Sequence, residues 1–473
     1  MFYPFTIQTI LSFCEGNYLF VTINKEWKDI YILLFKKTKT RIGCCLPQQI
    51  EYAIQAGYRL SRKTIMSAAK LGNLNILKYF INEDKYILYE NVCSNAALSG
   101  QFEVLKWARE NSCPWNTQTC TNAARSGNIE LFKWARKNNC PWDVCTCAYA
   151  AKYGQFNILQ WARENGCPWN EYVCTYAAEG GYLEILKWAR ANGCPWDRWT
   201  CAYAAKNGHL DILKWARANG CPWDEVTCSN AAGEGHLEIL KWARENGCPW
   251  GRWTCTKAAK RYLDILQWAR ENGCPWDGDT CLSAAREGNL EILKWAHANG
   301  CSWNTRVCSN AASGGHLEIL KWARTNDCPW NEDTCEYAAN RGHLDVLKWA
   351  RVNGCPWNEE TCSSAASGGH LDVLKWAREN GCPWNAQTCA WAAYNGHLNI
   401  LKWAHENGCP WDDEIYLYGW NANVCTYAAE KGHLDVLKWA RENGCPWDEE
   451  IYSYAIKGGY LDVIKWVREN NLM

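Results

Sequence analysis

Net charge is absent from this chain. Its 50 Lys and Arg match 50 Asp and Glu, so no global field draws it toward nucleic acid or an anionic membrane. No run of 18 or more apolar residues occurs, which argues against a spanning helix. The first residues, Met1-Phe2-Tyr3-Pro4, carry no basic n-region and no small-residue cleavage site, so a secretory signal is not expected. Motifs that carry chemistry are missing too: there is no phosphate loop, no H-E-x-x-H and no Ser/His/Asp set. No basic stripe is present either. These gaps point away from an enzyme, a membrane protein and a nucleic-acid binder. They leave a soluble, intracellular and cytoplasmic chain as the expectation, with no cofactor and no metal.

What the chain has instead is repetition. A segment close to W-A-R-E-N-G-C-P-W-D recurs about every 27 residues, as from Trp188 to Trp215. At 473 residues an ordinary chain would suggest about three domains. Periodicity overrides that prior, because each unit of a repeat array buries its apolar face only against its neighbours. The 30 cysteines follow the same rhythm, mostly two per unit, as at Cys194 and Cys201. Equivalent cysteines in adjacent units are separated by one helical layer, roughly 8–10 Å. A disulfide needs α-carbons within about 7 Å, and zinc needs thiolates about 2.3 Å away. The expectation is therefore small buried hydrophobes; closer approach of the two cysteines inside one unit stays open. The recurring histidines, among them His209, His236, His316 and His343, are one layer apart as well. A structural role in a turn fits them better than a metal.

Each unit reads as two helices. Asp or Asn stands before the first, as at Asn116, Asp143, Asp197, Asp224, Asn304 and Asn331, where a side-chain oxygen can cap an orphan N–H. Gly251 is the exception. Asn207-Gly208-His209 makes a turn. Leu210, Ile212, Leu213, Trp215 and Ala216 then form one apolar helical face. Gly220 suits a left-handed C′ position and Pro222 blocks continuation. Where that glycine is replaced, Asn139 and Asp327 tolerate the conformation better than most residues, and Ser112 less well. Two tryptophans per unit, such as Trp215 and Trp223, are expected to serve as core and inter-layer mortar, each burying about 150–250 Å².

The string Ala204-Ala205-Lys206-Asn207-Gly208-His209-Leu210-Asp211-Ile212-Leu213 resembles the A-A-x-x-G-H-x-x-x-V core of ankyrin repeats, and Thr200 resembles the threonine that opens their T-P-L-H motif. The ankyrin period is about 33; here it is 27, and the missing residues fall after Trp-Asp, where ankyrins carry a β-hairpin finger. The resemblance implies an all-α, ankyrin-like helical-repeat solenoid with shortened or absent fingers over residues 47–473. It is similar to the short-repeat ankyrin proteins of giant DNA viruses and some protists. Tyr52 and Tyr79 continue the Trp register upstream as degenerate capping units. Lys260-Arg261-Tyr262 lacks the turn glycine and is one residue short, which predicts a local irregularity. The Trp403–Trp439 interval of 36 residues reads as two fused units, with an odd loop or short helix at Ile415–Asn423.

Residues 1–46 are expected to form a helical F-box-like or capping segment. Ile10, Leu11, Phe13, Leu19, Phe20 and Trp27 fall on the apolar positions of a pattern that resembles the F-box. That resemblance implies docking on the adaptor of a cullin-type ubiquitin ligase; a plain cap on the first repeat is the alternative. In ankyrin proteins partner contacts come from the two residues after Ala-Ala and the residue before Thr. Carried over, these are Tyr153, Lys206, Asn207, Arg286, Glu287, Asn340, Arg341 and Tyr394 in the first set, and Tyr172, Trp199, Trp253 and Arg306 in the second. Trp199, Trp253 and Trp391 are the array tryptophans off the two scaffold rows and suit interface anchors. A bland surface role for each remains the alternative. The expected function is a non-enzymatic, monomeric scaffold that holds a protein partner on a concave face roughly 150 Å long, from about fifteen layers at about 10 Å. The N-terminal segment would recruit a ligase. A pure scaffold binding a host protein, or a nucleic-acid-binding helical repeat, are the other readings.

Overall fold

The computed structural model describes residues 62–78, 89–411, 424–445 and 451–470. The chain divides into two compact units, Met1–Thr200 and Cys201–Met473. Each is a solenoid of helix pairs, and no strand occurs among the described residues. In the first unit, helices Glu90–Leu98, Thr117–Ser126, Val144–Lys152 and Tyr172–Gly180 stack in sequence. In the second, Glu225–Gly233 packs on Arg252–Ala258, then Gly278–Glu287, Thr305–Ser313, Glu332–Asn340, Glu359–Gly368 and onward to Ile451–Gly458. Each first helix is followed by a second helix of nearly constant length, such as Leu317–Thr325.

One repeat shows why this sequence folds so. The Asn304 side chain accepts the Arg306 N–H at 3.0 Å, capping helix Thr305–Ser313. Val307, Cys308, Ala311 and Ala312 are fully buried, and the paired alanines let the adjacent layers approach. Gly315 takes φ +73°, and the His316 N–H bonds the Ala311 carbonyl at 2.9 Å. Ile319, Leu320 and Ala323 bury the inner face of Leu317–Thr325. Asn326 donates its side-chain amide to the Trp322 carbonyl at 2.8 Å. Asp327 turns left-handed at φ +61°, and the Cys328 N–H reaches the Ala323 carbonyl at 3.0 Å. This is a Schellman closure, so Ala, Asn, Gly (here Asp) and Cys of the motif each have an assigned job. Asn139 and Ser112 adopt the same left-handed turn, at φ 62° and 59°.

The caps hold at Asn116, Asp143, Asp224, Asp277, Asn358 and Asn385 as well. Asn331 departs from the pattern: it makes no side-chain cap bond, and its buried Oδ1 has no partner. Asp412 and Asp448, which follow Trp411 and Trp447 at the same place in later units, lie outside the described residues.

The described cysteines are free, and all but Cys145 are buried. They pair in a way that linear spacing hides. Cys308 of the first helix meets Cys328, which follows the second helix of the same repeat; the Cys308 Sγ is 4.0 Å from the Cys328 carbonyl. Contact with the Cys328 thiol, together with burial, pushes the Cys308 thiol well above the usual thiol range. The Cys328 Sγ in turn reaches the Asn304 carbonyl at 3.6 Å. The thiol closes the hairpin of its own repeat.

The tryptophans differ from expectation in burial. The described tryptophans of the two recurring rows are half-buried, and the inner core is Leu, Ile, Val, Ala and Cys. Trp330 lies beneath the Arg324 guanidinium at 4.2 Å and meets Trp349 of the next repeat edge-on, centroids 6.0 Å apart. Arg324 also donates to the Cys328 carbonyl. Arginine, tryptophan and the next tryptophan thus form a bracket along each unit's outer side. His297 stacks on Trp303 at 3.7 Å where arginine is replaced.

A second bracket joins the turns. The His343 Nε2 is 3.2 Å from the Ser313 carbonyl of the preceding repeat, and a Cβ on Gly315 would stand 2.6 Å from the His343 ring. The turn glycine is therefore demanded twice, by its φ and by the neighbouring ring. His236, His316 and His397 make the same bond to Lys206, Arg286 and Ser367. Among the described residues no group of three or more His, Cys, Asp or Glu is arranged to hold a metal ion.

The irregular repeat is absorbed locally. Helix Arg252–Ala258 is short, and Tyr262 N–H bonds the Ala258 carbonyl rather than one residue earlier. Farther on, His433 bonds the Tyr394 carbonyl at 3.1 Å, 39 residues away where the other repeats use 30. Val424–Lys431 therefore packs on Ala386–Tyr394 as an ordinary neighbour. The expected oddity at Ile415–Asn423, the 46/47 boundary, the capping unit at Tyr52 and Tyr79 itself lie outside the described residues; the first helix of the Tyr79 unit, Arg62–Leu71, packs on Glu90–Leu98.

Candidate interaction surface

Brackets and core use up the second helices and the inner sides of the first. What varies is the outer face of the first helices. In the first unit this face is aromatic. Tyr153 stacks on Tyr149 at 6.3 Å, Tyr149 meets Tyr176 edge-on at 5.5 Å, and Tyr172 stacks on Tyr176 at 5.8 Å. Tyr153 and Tyr172 are thereby brought into one cluster, with Tyr172 47% exposed. Arg125 lies over Tyr153 at 4.3 Å. Lys152 lies over Tyr176 at 5.1 Å and pairs with Glu179 at 2.7 Å. Burial works against the Lys152 charge, but the Glu179 bond prevails and raises its pKa above the usual lysine value. Trp199 is 39% exposed and carries the Arg198 guanidinium at 5.4 Å.

In the second unit the face is more charged. Trp253 is 47% exposed beside Arg252, itself ion-paired with Asp277 at 3.0 Å. Lys257 bonds Asn230 at 2.9 Å; burial, then Lys260 and Lys206, lower its pKa. Arg286 and Arg306 come together on a cavity of about 340 Å³, shared with Ser309, Asn310, Ser313, Asp333 and Tyr337. Trp391 and Tyr394 also meet, at 5.3 Å, with Tyr427 and Lys431 alongside. Other candidates stay apart from these clusters. Asn207 donates to its own Tyr203 carbonyl, Asn340 to the Ser364 carbonyl at 3.4 Å, and Lys206, Glu287 and Arg341 are exposed. The docking candidates Ile10, Leu11, Phe13, Leu19, Phe20 and Trp27 lie outside the described residues. A second cavity of about 360 Å³, between Trp250 and Trp268, is built from residues of the recurring bracket and belongs to the scaffold.

Tyr149, Tyr176, Tyr337 and Tyr427 were missed by the carried-over contact positions. Each stands two residues after the first-helix cysteine, the row that also holds Trp391. That row was readable, since one turn of helix places it beside both predicted rows.

The family model for ankyrin repeats (many copies) matches residues 174–217, 281–324 and 362–405. These stretches are ankyrin repeats. The Cys-Pro-Trp-Asp link to the next first helix leaves no room there for a hairpin finger, in keeping with the all-helical repeats. Among solved structures, the pentatricopeptide repeat protein PPR10 in complex with an 18-nt psaJ RNA element is similar at 14% identity and TM-score 0.35, over 94% of this chain and 78% of that one. PPR10 from maize is similar at 13% identity and TM-score 0.32, over 94% and 82%. The human ASB11 ankyrin repeat domain is similar at 16% identity and TM-score 0.32, over 41% and 98%. No curated protein matches the sequence. Among the described residues no helix is long and apolar enough to cross a membrane.

Proposed function

We infer that the chain is a non-enzymatic protein-interaction scaffold of the short-repeat ankyrin type, working inside a cell. Its first-helix face holds a polypeptide partner. One observation carries this reading: exposed aromatic and charged side chains gather on that face in place of the repeated brackets, with Tyr172, Trp199, Trp253 and Trp391 between 38% and 47% exposed. Aromatic anchors among adaptable polar groups are the composition of protein interfaces. Residues 1–46, with Leu11 and Trp27 on F-box-like positions, tether the scaffold to a ubiquitin-ligase adaptor in the fuller version of this reading.

Proximity labelling in the host cell separates the parts. A partner labelled by the full chain and lost on Tyr172→Ala with Trp253→Ala supports the scaffold. Labelling indifferent to those changes refutes it. An adaptor that co-purifies with the full chain, and is lost on Leu11→Ala with Trp27→Ala, supports the tether. A full chain that never captures the adaptor removes the ligase link and leaves the scaffold.

A further inference from the structure

We propose that the first-helix face from Arg286 to Glu360 is a docking site for an extended polypeptide segment of split charge. An acidic side chain sits on Arg286 and Arg306, and basic side chains follow on the carboxylates of the next two layers. The inference rests on the scaffold reading and supplies the partner's chemistry.

The charges are arranged for it. Arg286, Arg306, Asp333 and Tyr337 all line the 340 Å³ cavity, Arg286 from helix Gly278–Glu287, Arg306 from Thr305–Ser313 and the other two from Glu332–Asn340. Arg306 has an exposed, long ion pair with Asp279 at 3.8 Å, and Arg286 has none among the described residues. Two guanidinium groups on one polar cavity fit a carboxylate. From Asp333, which itself lines the cavity, the sign reverses. Helices Glu332–Asn340 and Glu359–Gly368 carry Glu332, Asp333, Glu336, Glu359 and Glu360 and no basic residue; Arg341 follows the first of them. None of these five carboxylates forms an ion pair among the described residues. They also work against one another. Burial, then Glu360, Asp333 and Glu332, raises the pKa of Glu336. A cationic side chain would relieve that repulsion.

Geometry sets the spacing. Successive layers are about 10 Å apart, and an extended chain advances about 3.3 Å per residue. One layer therefore corresponds to about three residues. The partner segment should carry an acidic residue with basic residues about three and six positions along. Tyr337, 45% exposed between the two fields, offers an aromatic face for the intervening side chain. A nucleic acid suits this face poorly, because its uniform phosphates would meet the five carboxylates next to Arg306.

The test pans a displayed library of random 16-residue peptides against the full chain. Enriched sequences should pair an acidic residue with basic residues at about those spacings. Their affinity should fall at least tenfold in the Arg286→Glu/Arg306→Glu double variant and less in Arg286→Gln/Arg306→Gln. Both variants change exposed side chains, and an unchanged thermal midpoint confirms folding. Enriched peptides without split charge, or indifferent to both variants, overturn the proposal and leave the scaffold reading standing. No enriched peptide at all overturns it too, and a lack of any labelled partner in the cell then removes the scaffold reading as well. Labelled oligouridine that binds and is released by the same double variant overturns it in favour of RNA.

Discussion

The two sides of each repeat obey different rules. On the second-helix side, Arg324, Trp330 and Trp349 repeat a geometry found at Arg351, Trp357 and Trp376. On the first-helix side, equivalent rows hold Trp253, Asp279, Arg306 and Asp333. The backbone is the same, so the difference lies in what each position must satisfy. A bracket residue answers to its own repeat and to the next one. An outer first-helix residue answers mainly to solvent, and is free to be selected for a partner.

The contrast can be broken at graded depth. Leu320→Ala empties a fully buried site on a second helix and should cost about 2–5 kcal/mol, read as a shift in the urea midpoint followed by tryptophan fluorescence. Gly315→Ala should cost about 1–3 kcal/mol, because it strains the backbone and pushes the His343 ring from its carbonyl. Gly300→Ala is the control: its φ is +81° but no atom lies within 4 Å of the added Cβ, so about 1 kcal/mol of backbone strain is expected. Equal losses at the two glycines would refute the ring contact as a packing constraint. Asn304→Ala should cost about 1 kcal/mol through its cap, while Asn331→Ala, which removes no cap bond, should cost less.

Smaller effects belong to the outer face. Glu336 holds its proton more tightly in the folded chain than in the unfolded one. Its contribution favours folding in acid and is lost as pH rises through the raised value. At neutral pH the ionised group opposes folding, so Glu336→Gln should raise the thermal midpoint slightly at pH 7 and not at pH 3. A midpoint gain that persists undiminished at pH 3 would contradict this account. Trp253→Ala should change stability by about 0.5 kcal/mol or less while weakening partner capture. A large loss of stability there would place Trp253 in the scaffold.

Most of the fold is legible because local chemistry and period agree. Asn304, Gly315, Asp327 and Pro329 mark helix ends by rules that act within a few residues. The cysteine partners were not legible in that way. Sequence places Cys194 near Cys201, but closing the helical hairpin puts Cys308 beside Cys328, twenty positions on. The candidate surface was legible by row and not by cluster. Tyr153 and Tyr172 stand in predicted rows, yet Tyr149 and Tyr176 join them, because side chains one helical turn apart share a face. The meeting of Arg286 with Arg306 needed the angle between layers, which no single repeat encodes.

The His–Gly clasp bears on how such a chain changes length. The rings of His236, His316, His343, His397 and His433 look back to a carbonyl in the previous layer, and a layer's own glycine, as at Gly315, admits the ring that follows. Cutting out or copying a whole period leaves each clasp with a mate. Partial excisions are harder to accommodate, yet His433 still finds Tyr394 across its longer interval. Growth and loss by entire modules is the history this joint favours, and it lets new outer faces be added without renegotiating the joints already made.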